Sequence, residues 1–89
     1  MAVMLTAEVY QDDIAVTLAN VLATANKRAS EMGVDVTNSL LTLTQRMADD
    51  VLVWRINYGP KEYINRRGGD LVVDVAATSG KVAQVLWGQ

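Results

Sequence analysis

Neither cysteine nor histidine occurs in the 89 residues. Without cysteine there is no disulfide framework and no thiolate nucleophile. Without histidine the commonest general base and the commonest metal ligand are both missing. There is one proline, Pro60. No run of 18 apolar residues exists, so no membrane-spanning segment is expected. The opening "MAVMLTAEVYQDD" lacks the basic region and the long apolar stretch of a secretory signal, so the expected location is the cytoplasm. A net charge of −2 supplies no general attraction to nucleic acid or to acidic membranes. No internal repeat, low-complexity tract or linker breaks the chain, and residues 1–89 read as a single domain.

What is present is apolar side chain. It makes up 51% of the residues, enough for a packed core and too much for a disordered chain. At this length a domain buries roughly 60–65% of the surface its unfolded chain exposes, so its stability margin is thin.

The spacing predicts a helix over 12–33. Asp12 and Asp13 suit its start, where a side-chain oxygen can accept from free backbone N–H groups and the helix dipole favours negative charge. Ile14, Leu18, Val21, Leu22, Ala25, Ala29 and Met32 form one apolar stripe at steps of three and four. Residues 5–11 could extend the helix backwards. Lys27 and Arg28 lie toward its end, and Gly33 is a natural stop. After the connection "GVDVTN" the period shortens to two. "SLLTLTQR" (39–46), "VLVWRINY" (51–58), "DLVVDVAA" (70–77) and "KVAQVLWG" (81–88) read as strands, with "ADD" and "TSG" as tight turns. In the second strand Leu52, Trp54, Ile56 and Tyr58 share a face. In the third, Leu71, Val73 and Val75 do. In the fourth, Val82 and Leu86 oppose Val85 and Trp87. The expected fold class is α+β, one N-terminal helix packed on a four-stranded antiparallel meander, with Trp54 and Leu18 both in the core between them.

No residue set carries a catalytic signature. Ser30, Ser39 and Ser79 have no base to activate them, and no acidic cluster has calcium-loop spacing. The pairs Asp12/Asp13 and Asp49/Asp50 stand where capping and turn chemistry place aspartate. Asp74 is mid-strand, on the face away from the helix, within reach of Arg55 if the register allows; such a pair, exposed, contributes under about 1 kcal/mol. Ala15, Ala19 and Ala23 either admit a second helix or serve as good helix formers. The connection "NYGPKEYINRRGGD" (57–70) gathers Lys61, Tyr63, Arg66 and Arg67. Basic residues around an aromatic can hold phosphate or single-stranded nucleic acid, but the stretch has no phosphate-loop pattern. Its folding role is a connection between strands, and any contact role falls to Tyr63, Arg66 and Arg67, since tyrosine and arginine anchor protein interfaces. Trp87 either folds back over the sheet edge or stands exposed as a contact residue.

With "DDIAVTLA", "VWRINY" and "VDVAATSGKV" in view, the chain resembles PepSY-type domains over residues 12–87. These small modules have a helix that begins with acidic residues, then an antiparallel sheet closed by a hairpin of the form Val-Asp-x-x-x-Gly-x-Val. The resemblance implies a non-enzymatic module, in some members a propeptide-like inhibitor of a secreted peptidase. This chain departs from it in showing no signal and in a longer connection, "GPKEYINRRGG". Cystatin-like inhibitors and nuclear-transport-factor-like immunity proteins share the layout. The expected function is therefore a non-catalytic protein-binding or inhibitory module with an unknown protein partner, contacted through Tyr63, Arg66, Arg67 and Trp87, with no cofactor. A small-ligand domain using the space between helix and sheet is the alternative, and a toxin-immunity protein a further one. Apolar residues on both sheet faces and an uncapped edge strand predict a homodimer.

Overall fold

The computed structural model describes residues 6–60 and 70–87. A single turn, α1 (Ala7–Tyr10), precedes the long helix α2 (Asp13–Glu31). The two do not merge because Asp12 takes extended backbone, φ −100° and ψ 108°, to cap α2. Its Oδ1 accepts from the Ala15 N–H at 3.0 Å. At the other end Gly33 adopts φ +88°. Its N–H donates to Ser30 O, and the Val34 N–H reaches back to Ala29 O at 3.0 Å. This pattern closes the last turn and needs the left-handed backbone that glycine tolerates.

A short 3₁₀ turn (Val36–Asn38) leads into β1 (Ser39–Ala48), β2 (Val51–Pro60), β3 (Leu71–Ala76) and β4 (Val82–Trp87). They form one antiparallel sheet in the order β1-β2-β3-β4. The expected α+β fold is what forms, with some boundaries moved. Ala48 belongs to β1 and pairs with Val51, so Asp49 and Asp50 alone make the first turn. Both take positive φ, 50° and 66°, which is the backbone that matches a two-residue hairpin to the twist of its strands.

Three rows of cross-strand partners line the side of the sheet facing α2. Leu41, Tyr58, Leu71 and Trp87 form one. Leu43, Ile56, Val73 and Val85 form the next. Gln45, Trp54, Val75 and Val82 form the third. A register shift at Asp74/Val75 produces the third row and corrects one sequence expectation. The bulge turns Val82 to the same side as Val85, so Val82 packs against the core instead of siding with Leu86.

The core is Val21, Ala25 and Ala29 of α2 against Ile56, Tyr58, Leu71, Val73 and Val75. Two of the three helix residues are alanine, which lets the helix backbone sit close to the β3 valines. The predicted stripe is therefore only partly buried. Leu22 and Met32 pack at its margin, Leu18 is half-buried and outside the core cluster, and Ile14 is exposed. The cause is position, since α2 lies over β3 and β2 and its first turn projects past the packed cluster. Trp54 is likewise half-buried, packed against the core from the side. Ala19 and Ala23 face solvent, and Ala15 is half-buried.

Candidate functional site

The first of the three rows is the most informative. Its inner members, Tyr58 and Leu71, are 3% and 1% exposed, while its outer members, Leu41 and Trp87, are 37% and 56% exposed. The helix thus seals the middle of the sheet and leaves both edges of the same apolar row open. Trp87 is the last residue of β4 and stands opposite the buried Leu71. Leu86, its neighbour on the other face, is exposed as well. Trp87 is exposed and does not fold back over the sheet edge.

The same end of the sheet holds both stems of the long connection. β2 ends at Pro60, opposite Ser39. Proline is tolerated there because the strand need not continue. The chain returns at Asp70, whose Oδ2 accepts from Asn57 Nδ2 at 2.9 Å. Asn57 Oδ1 is buried and has no hydrogen-bond partner among the described residues. Residues 61–69, with the candidate contact residues Tyr63, Arg66 and Arg67, lie outside the described residues. The structure brings Trp87 to the end of the sheet where that segment leaves and returns.

On the opposite face Arg55 and Asp74 are register partners. Arg55 Nε and Nη2 donate to the two carboxylate oxygens at 2.8 and 2.9 Å. The pairing expected from the strand pattern forms, but it is not exposed at both ends. The Asp74 side chain is 7% exposed and that of Arg55 31%. The hydrogen bond to Asp74 pushes the Arg55 pKa further up, so the guanidinium stays charged at every ordinary pH. The arrangement is a structural clamp between β2 and β3: the fork of Arg55 satisfies a carboxylate that the sheet surface has removed from water.

One interaction carried no sequence signal. The Tyr58 hydroxyl donates to Asn26 Oδ1 of α2 at 2.7 Å. Tyr58 was legible as a core-face residue, but nothing in the helix pattern marked Asn26, which borders the apolar stripe beside Ala25 and Ala29. Burial pushes the Tyr58 pKa up to about 12. Asp12 caps α2, while Asp35, at the start of the 3₁₀ turn, makes no cap bond to the backbone and instead accepts from the Asn38 side-chain Nδ2 at 2.7 Å. Among the described residues no three acidic side chains come together. No helix among them is long and apolar enough to cross a membrane.

No family model, curated protein or solved structure matches this chain.

Proposed function

We propose that the chain is a non-catalytic protein-binding module, of the inhibitory or propeptide-like kind that its PepSY-like layout implies, and that Trp87 anchors the contact. The observation that carries this reading is the half-exposed Trp87 held in a paired strand opposite a buried leucine. An aromatic ring fixed by a rigid element loses little conformational freedom on binding, and large aromatic groups concentrate interface energy. Leu86 adds apolar surface beside it. The connection joined to the same end of the sheet contributes Tyr63, Arg66 and Arg67, residue types suited to the rim and anchors of a protein interface. The packing between helix and sheet supports this reading over a ligand cavity. Tyr58, which a cavity would use as lining, is buried with its hydroxyl already bonded to Asn26.

The test is affinity capture from an extract of the source cells with the wild type, Trp87→Ala and the double variant Arg66→Ala/Arg67→Ala. A protein retained by the wild type and lost by Trp87→Ala, with melting temperatures alike, supports the proposal. Equal retention by the wild type and Trp87→Ala contradicts it. If the double arginine variant unfolds, those arginines are structural, and Trp87 alone carries the contact.

A further inference from the structure

The two edges of the sheet are not alike. β4 is six residues long, follows Lys81 and carries the register shift. Those are the features with which natural sheets blunt a free edge. β1 has none of them. Its ten residues pair one to one with β2 from Ser39 to Ala48, with no shift, no proline, no glycine and no lysine, and Arg46 is its only charge. Among the described residues no strand pairs with its outer side.

The two-residue turn makes Ala48 and Val51 a hydrogen-bonded pair. Bonding to β2 therefore falls at the even positions of β1, and the N–H and C=O groups of Leu41, Leu43, Gln45 and Met47 point away from the sheet. The same four side chains lie on the α2 side. Because α2 covers β3 and β2, Leu41 and Met47 are left exposed.

We propose that β1 pairs antiparallel with β1 of a second copy, about a two-fold axis through Thr44, to make a continuous eight-stranded sheet with both helices on one face. In this register Thr44 meets Thr44, Leu43 meets Gln45, Thr42 meets Arg46 and Leu41 meets Met47, each unlike pair occurring twice. The charge pattern selects a second copy as the occupant. Arg46 faces a threonine hydroxyl and never its own like charge. The two exposed apolar side chains on the α2 side of the strand, Leu41 and Met47, cover each other, and the exposed Leu40 on the other face meets Ala48. A two-fold contact is self-complementary by construction, and a strand whose two halves match in this way meets that condition. The Trp87 edge remains open on both outer sides of such a dimer.

Sedimentation equilibrium tests the proposal. The wild type is expected at twice its 9.7 kDa chain mass. Met47→Lys and Leu41→Glu each place two charges against apolar partners, and each is expected to weaken the dimer about tenfold or more. Combined in one chain they oppose Glu to Lys across the seam, and association returns to near the wild-type level. Amide exchange on the wild type reads the seam without any substitution: the N–H groups of Leu41, Leu43, Gln45 and Met47 are expected to be protected, and more so at higher concentration. A monomer at all concentrations overturns the proposal. So does a dimer indifferent to both single changes, a dimer lost only in Trp87→Ala, or rapid exchange at those four amides.

Discussion

The Tyr58 hydroxyl of β2 is 2.7 Å from Asn26 Oδ1 of α2, and it fastens the helix to the sheet at the edge of the core. Tyr58→Phe keeps the ring and removes the bond. It also leaves Asn26 short of a partner, so a loss of about 1 kcal/mol is expected in urea unfolding near neutral pH. The pH dependence follows from the raised pKa. The folded phenol ionises at about 12 and the unfolded one at about 10, so the folded state binds the proton more tightly. Its contribution is complete below pH 10 and is lost as pH rises toward 12. Wild-type stability should therefore fall more steeply than that of Tyr58→Phe above pH 10. Parallel curves would show that the hydroxyl is not buried in solution.

Arg55 and Asp74 make the second test. Arg55→Met retains the apolar stem and removes the two hydrogen bonds to a buried carboxylate. The expected cost is about 1.5–3 kcal/mol, read from denaturant midpoints, with part of the charge loss screened on the more exposed arginine side. Asp74→Ala should cost less than Arg55→Met, because it leaves only a partly exposed cation unpaired. The reverse order would mean that the aspartate is more hydrated than its burial implies.

The hairpin tip offers a gain. Asp49 and Asp50 both sit in the left-handed region, which glycine occupies freely and aspartate, like asparagine, only occasionally. Replacing Asp49-Asp50 with Asn-Gly suits that backbone and removes an adjacent like-charge pair. A stabilisation of about 0.5–1 kcal/mol is expected. A lower melting temperature would show that the turn adopts another geometry.

How far these features were legible in the sequence differs from element to element. The helix start and stop were legible because Asp12 and Gly33 act through local backbone geometry, and a window of a few residues contains the whole cause. The cross-strand partnership of Arg55 and Asp74 was legible because period-two alternation set both residues on one face. The side taken by Val82 was not. It depends on a bulge between β3 and β4, and a one-residue shift in pairing leaves no mark in the alternation itself. The exposure of Ile14 and the marginal place of Leu18 were hidden for another reason. An apolar stripe shows which way a helix faces, not how far along it the sheet extends. The same limit applies to Trp87, whose exposure is decided by the span of α2 over its row. The contact role proposed for Tyr63, Arg66 and Arg67 rests on the sequence alone, since they lie outside the described residues.

The placement of the core leads to a paired prediction. Ile56 is fully buried and Leu18 only half-buried. Ile56→Ala is expected to cost about 3–4 kcal/mol, a large share of the roughly 5–10 kcal/mol that holds a domain of this size. Leu18→Ala should cost clearly less. Thermal melts of the two variants that coincide would mean that the helix sits further toward its own N-terminus over the sheet.

Site-specific photo-crosslinking in the source cells tests most directly whether Trp87 anchors a protein contact. A photoreactive phenylalanine analogue at position 87 is compared with one at position 84, an exposed site on the opposite face of the same strand. The predicted result is an adduct at position 87 whose added mass is not that of a second copy of this chain, with little or none at position 84. Equal yields at the two positions, or no adduct at 87 beyond self-association, would contradict it.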